Sequence, residues 1–237
     1  MRQINQLFEE KEIIPAFEDT MGLLEHIFQE EKERFRDSFV KVFAEACDRY
    51  SARYQEKPAS ILTLQFLRTD LLERRYRYRI VFYGTEWYLG DSVTAGEINT
   101  EAVFCHYHEL EKRLLLKAGR YKDLVTRTSI RHHVNILTDL FGGYIKELIL
   151  YSITQATETE AYLQLKKEKQ FQIRVGELLE PGDLIYQEQE EKNQDLILRQ
   201  LTFGENQEFY FQDYKGLDFS GLSLQGYDFS YTDFRGF

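Results

Sequence analysis

From about Phe17 to Tyr54 the apolar positions recur every three or four residues. Phe35, Phe39, Val42, Ala46 and Tyr50 form one stripe, and Glu30, Glu31, Lys32, Glu33, Arg34, Arg36 and Asp37 fill the other side. That spacing predicts an amphipathic helix, with the charged run as its solvated face. Residues 1–16 read as a short helix and a turn at Pro15. Beyond Pro58 the period drops to two. Leu62, Leu64 and Phe66 alternate with Thr63, Gln65 and Leu67, and Tyr76, Tyr78, Ile80 and Phe82 alternate with Arg75, Arg77, Arg79 and Val81. Two strands follow from this, with a third near Trp87-Tyr88-Leu89, in a short antiparallel sheet.

Helical spacing returns between Thr100, in an N-cap position, and Gly119, in a C′ position. Val103, Tyr107, Leu110 and Leu114 share its face. A further helix starts near Thr128-Ser129 and carries Ile130, Val134, Leu137, Phe141, Tyr144, Leu148 and Tyr151 along one side. Ile136, Leu140, Ile145 and Leu150 add apolar surface around it, so it reads as the most buried helix. Gly142-Gly143 within it implies a close approach by another element. Thr157 to Arg174 reads as a helix, Pro181-Gly182-Asp183 as a turn, and Gln187 to Lys192 as a polar boundary. Leu196 to Phe203 reads as a strand and Gly204-Glu205-Asn206 as a turn. The fold class is therefore α+β and mainly helical, with strands near 60–90 in a domain spanning 1–195. A second region, 196–237, holds a β segment and a repeat.

That repeat has a period of five. Phe209, Tyr214, Phe219, Leu224, Phe229 and Phe234 stand five apart, and all are bulky and apolar. Asp213, Asp218, Ser223, Asp228 and Asp233 precede the last five, and Gly216, Gly221, Gly226, Tyr231 and Gly236 follow two places later. Neither the helix period nor the strand period explains this. A coil that turns a corner every five residues does: the bulky residue faces a stacked interior, glycine relieves the corner, and the short polar residue bonds the turning backbone. The segment resembles the pentapeptide-repeat family. The resemblance implies a four-sided, right-handed β-helical coil, with the six bulky residues as its core. Where that family keeps a small residue, two places before the centre, this chain has Leu217, Leu222 and Tyr227, and only Thr232 is modest in size. The run is little more than one coil, and a solenoid coil buries its faces against neighbours. It is expected to pack on the preceding domain, on another copy or on a partner.

Composition narrows the function classes. A net charge of −10 repels phosphate backbones and argues against a general polyanion binder. Cys47 and Cys105 are too few for a disulfide framework, the polar start Met1-Arg2-Gln3 does not read as a signal peptide, and the apolar runs are too short to span a membrane. A cytoplasmic protein with no membrane association is expected. Cys105-His106-Tyr107-His108-Glu109 invites a metal or nucleophile reading, but residues two apart on a helix diverge, as do the adjacent His132 and His133. No metal, cofactor or catalytic residue is assigned, and the chain reads as a non-enzymatic interaction or regulatory protein, with a protein partner or self-association expected. Two alternatives stand beside it. Arg75, Arg77 and Arg79 interleave with Tyr76 and Tyr78 along 74–79, a pattern suited to single-stranded nucleic acid, although the same arginines suit pairing with the chain's own acids. An enzyme centred on Cys105, His106 and His133 is the other.

Overall fold

A computed structural model describes residues 6–55, 57–121, 125–189, 194–203 and 209–234. The turn read at 204–206 and residues 190–192 of the polar stretch Gln187–Lys192 lie outside the described residues. The chain divides into two compact units. Met1–Val40, Leu67–Tyr78 and Ile98–Ser152 make the first, and Lys41–Phe66, Arg79–Glu97 and Ile153–Phe237 make the second. The class is α+β, mainly helical with one five-stranded sheet. Among the described residues no helix is long and apolar enough to cross a membrane.

In the first unit a π-helical turn, Glu9–Ile13, runs straight into α1, Ile14–Arg53. Pro15 thus lies inside a helix and not in the turn that the sequence suggests. Proline has no N–H to return to the preceding turn. The Ile14 N–H reaches back to Glu9 O, and such a widened turn accommodates the missing bond. The other helices that contribute here are α2 (Arg68–Leu72), α3 (Glu101–Ala118), α4 (Arg127–Ile136) and α5 (Thr138–Ala156). α3 buries Val103, Tyr107, Leu110 and Leu114, the face read from its spacing, and Phe104 and Ala118 in addition. The rings of Phe104 and Tyr107 meet Phe141 of α5 with centroids 6.0 and 5.7 Å apart. Lys117 pairs with Glu12 at 2.9 Å, and Arg113 donates to Ala16 O, which ties α3 to the chain's start. The helix read from 128 to 151 is two helices joined at Leu137. The glycine pair marks no close approach: a Cβ on Gly142 would meet Tyr78 Oη at an ordinary 3.6 Å, and one on Gly143 would meet nothing within 4 Å.

The second unit holds most of the sheet. Its strands are β1 (Ala59–Phe66), β2 (Arg77–Tyr83), β3 (Ser92–Asn99), β4 (Lys167–Glu177) and β5 (Asp183–Gln189), in the order β3-β2-β1-β4-β5. It is not the antiparallel sheet expected: β4 runs parallel to β1 and antiparallel to β5. The expected third strand at Trp87–Leu89 is a 3₁₀ turn, and the strand comes after it. Helix was expected from Thr157 to Arg174, but only a short α6, Glu160–Leu163, precedes β4. There Phe171, Ile173 and Val175 alternate with Gln172 and Arg174, and such aromatic and β-branched residues suit a strand flanked on both sides. Strand was expected at 196–203, but Gln194–Phe203 is a helix, α7, which buries Ile197 and Leu201 one turn apart.

β1 is buried along almost its whole length. Ile61, Val81 and Tyr83 cluster under Trp87 and Tyr88. Residues of α1 within this unit pack on β2 and β3, where the Tyr50 ring lies 4.5 Å from that of Phe82 and Arg49 Nη1 donates to Ala95 O at 2.7 Å. Gly96 permits this closeness, because a Cβ there would stand 3.3 Å from both Ala46 Cβ and Ile80 Cδ1. Gly96→Val should therefore lower unfolding stability by about 1–3 kcal/mol through overpacking, measured by urea denaturation; an unchanged midpoint would show that the helix can move away.

Candidate functional site

Two of the residues read as a nucleic-acid face, Arg75 and Arg77, meet on one carboxylate. α2 carries Asp70, whose side chain is buried. Arg75 donates through Nε and Nη2 to Asp70 Oδ1 at 3.0 and 2.8 Å, and Arg77 donates through Nε to Oδ2 at 2.9 Å. Arg75 also pairs with Glu73. The two arginines and two acids sum to no net charge. Tyr78 is buried, with its ring 6.4 Å from that of Phe104, and Tyr76 is half-buried with its ring 5.9 Å from His108. Arg79, half-buried, lies in the second unit. The sequence reading missed Asp70 as the anchor. Its signal was an acid within one helical turn of an arginine-rich strand.

The cysteine and histidines face separate partners. His106 Nδ1 donates to Glu109 Oε2 at 2.7 Å, His108 Nε2 to Leu71 O at 2.8 Å, and His133 Nδ1 to Ser129 O at 2.8 Å. Tyr107, between the first two, is buried and donates to Asn135 Oδ1. Burial, followed by the charges of Glu109 and Glu101, pushes the Cys105 thiol up, which disfavours a thiolate nucleophile. Burial pushes Cys47 up to about 12. Among the described residues no group of three or more His, Cys, Asp or Glu could hold a metal ion.

A second charged cluster went unread. Lys167 Nζ lies 2.8 Å from Glu188 Oε2 and 3.9 Å from the Tyr162 ring centroid. Tyr162 Oη donates to the same carboxylate oxygen at 2.7 Å. Burial, then Glu188, raises the Tyr162 phenol well above its ordinary range, so it stays a donor. This joins the start of β4 to the end of β5.

The C-terminal segment has a backbone of period five. The N–H groups of Leu217, Leu222, Tyr227 and Thr232 donate to the carbonyls of Tyr214, Phe219, Leu224 and Phe229, each three residues back. Positive φ occurs at Phe211, Gly216, Gly221, Gly226 and Tyr231, again five apart. Asp213, Asp218 and Asp228 each accept the N–H two residues ahead, at 2.8 to 3.0 Å. Hydrogen bonds from the Ser220 and Ser230 side chains, and then from their N–H groups, hold the carboxyls of Asp218 and Asp228 below their usual range. Asp213 forms a parallel bridge with Asp233, and Phe209, Phe211 and Tyr214 donate to Asp228, Ser230 and Asp233. Gln187 of β5 bridges Gln212 in parallel, and its N–H donates to Phe211 O.

Phe209, Tyr214, Leu217 and Phe219 form one buried cluster with Ile197 and Leu201 of α7. Leu222, Leu224, Tyr227, Phe229 and Phe234 pack against it, partly buried. The large residues at 217, 222 and 227 thus share the interior with the central ones. Two corners hold an aromatic residue where the others hold glycine. Phe211 and Tyr231 have φ of 58° each, and their rings stack 5.2 Å apart at 15°.

Compared with family models, curated proteins and solved structures, the chain matches none.

Two measurements test this geometry. Asp70→Asn leaves two arginines sharing a neutral group. Breaking a fully buried pair costs more, but the guanidiniums reach solvent, so a loss of about 2 kcal/mol in urea denaturation is expected. At the corners, Tyr231→Gly removes about 1 kcal/mol of left-handed strain and about 1 kcal/mol of ring stacking, for a net effect near zero. Gly221→Ala adds the strain with no ring to stack and should lose about 1 kcal/mol. Equal losses for the two variants would refute the compensation.

Proposed function

We propose that the chain is a non-enzymatic interaction protein whose C-terminal segment is a coil of the pentapeptide-repeat type, used for docking onto a second copy of itself. One observation carries the reading: turn bonds recur every five residues, and a parallel bridge joins Asp213 to Asp233, twenty positions on, as four five-residue sides require. The resemblance read from the sequence agrees with that spacing.

The choice of occupant rests on burial. Phe209, Tyr214, Leu217 and Phe219 are buried, whereas Leu222, Leu224, Tyr227, Phe229 and Phe234 are only partly so. The interior therefore thins toward the end of the segment. A stacked coil stabilises its neighbour through matching faces, and the surface that best matches a five-residue side is another such side. The opposite end is already occupied by α7, so pairing through the C-terminal ends is isologous and closes as a dimer. The pairing of Arg75 and Arg77 with Asp70 weighs against nucleic acid as the partner.

Sedimentation equilibrium over a range of concentrations tests the proposal. The full chain should be a dimer, and a Leu222→Glu, Leu224→Glu variant should be monomeric with an unchanged helical circular dichroism spectrum. A wild-type monomer at every concentration would overturn it, as would a double variant that remains folded and dimeric.

A further inference from the structure

β2 ends at Tyr83 and β3 begins at Ser92, so residues 84–91 link two strands that are neighbours in the sheet. Hairpin loops commonly need only about two to five residues. The extra length folds Trp87 and Tyr88 back over β1 and β2, where they cover Ile61, Val81 and Tyr83.

Side chains hold this cover down. Trp87 and Tyr88 stack at 5.0 Å, Tyr88 meets Tyr83 edge-on at 5.2 Å, and the Arg174 guanidinium lies 5.5 Å from the Trp87 ring. Tyr88 Oη donates to Glu180 O at 2.5 Å, at the surface, where water can take its place. The turn bonds of the link stay within it: the Trp87 N–H donates to Gly84 O, that of Leu89 to Glu86 O and that of Gly90 to Trp87 O. It can lift as a unit and keep them. The closed form is also strained, because Trp87 has a φ of 48°, in the left-handed region that favours glycine. At Gly84 the reverse holds. It has no positive φ, and a Cβ there would meet nothing within 4 Å. Nothing in the closed form asks for glycine at 84, and what glycine supplies is freedom to pivot.

The surface under the cover differs from the other face of the same strand. Along β1, Leu62, Leu64 and Phe66 alternate with Ile61, Thr63 and Gln65. Thr63 and Gln65 are each 3 % exposed. Thr63 Oγ1 donates to Val81 O at 3.3 Å, and Gln65 Nε2 donates to Tyr83 Oη at 2.7 Å. Burying these polar groups costs desolvation that an apolar pair would avoid. On a face that meets water part of the time they are well suited. Arg174 donates to Pro181 O at 2.8 Å and to Gly182 O at 3.1 Å, so it stays in place when Trp87 leaves.

We propose that residues 84–90 form a strap that opens about its glycine ends while the sheet stays folded, with the bond from Tyr88 to Glu180 as its latch. Opening uncovers an apolar patch of Ile61, Val81 and Tyr83 beside Gln65 and Arg174. Closed, the strap blocks that face of its own sheet. The proposal is independent of the reading of the C-terminal segment.

Thiol trapping on the full chain tests it. Ile80 and Val81 are consecutive and buried on β2 and point to opposite faces, and Val81 lies under the strap. Each is replaced by cysteine and exposed to N-ethylmaleimide without denaturant. Peptide mass spectrometry then separates the new site from Cys47 and Cys105. Val81→Cys should react at least about ten-fold faster than Ile80→Cys, which waits for global unfolding. Adding Tyr88→Phe should speed Val81→Cys about five-fold, as the loss of one hydrogen bond implies, and leave Ile80→Cys unchanged. Equal rates at the two sites, or no effect of Tyr88→Phe on Val81→Cys, would overturn the proposal. Trp87 is the chain's only tryptophan, so acrylamide quenching reads the strap without a buried substitution. Tyr88→Phe alone should raise the quenching constant at an unchanged far-ultraviolet circular dichroism spectrum, and an unchanged constant would equally overturn the proposal.

Discussion

The second unit depends on the parallel pairing of β1 with β4, which sets Leu62 opposite Ile173 and Leu64 opposite Val175. β1 is buried on both faces, so its amides and carbonyls have no water to bond and must be satisfied by a strand on each side. β2 supplies one side soon after in sequence. The other waits for β4, after the chain has made α2 to α6. Parallel neighbours always need such a crossover. Here it carries most of the helical residues, so closing the sheet is the non-local step on which that unit's core relies.

This is also where the sequence was least legible. The amphipathic faces of α1 and α3 and the alternation of β1 and β2 are local patterns, and they emerged directly from spacing. β4 opens with Lys167-Glu168-Lys169-Gln170, which looks like a helix's charged face until a partner strand exists. α7 was misread because its apolar residues are clustered closely enough to suit either period, and only the cluster with Phe209 and Phe219 decides between them. The widened turn before Pro15 depends on one missing N–H, which no hydrophobic pattern records. In the candidate site, the six bulky positions stood out because neither the helix period nor the strand period yields a spacing of five. The stacked corners at Phe211 and Tyr231 were not, since a side chain at a glycine position makes sense only once the ring above it is known. Asp70 was equally hidden: its two arginines were visible as a pattern, but the direction they face was set by a carboxylate outside that pattern.

The Asp70 cluster and the C-terminal segment illustrate one rule applied twice. An unfavourable local feature persists where a neighbour offsets it. Two adjacent arginines would repel across a strand, and a buried carboxylate resolves this. Two left-handed aromatic residues would be strained, and each stacks on the other.

The bridge between Gln187 and Gln212 has a consequence for behaviour in concentrated solution. β5 is the outermost strand of the sheet, and a bare outer strand offers its backbone to strands of other molecules. Where the C-terminal segment lies along it, that row of groups is engaged. A chain cut before residue 209 would lose this cover while keeping the sheet. Proteolytic trimming of the segment would thus favour disordered aggregation through β5, and the segment guards the solubility of the sheet it borders.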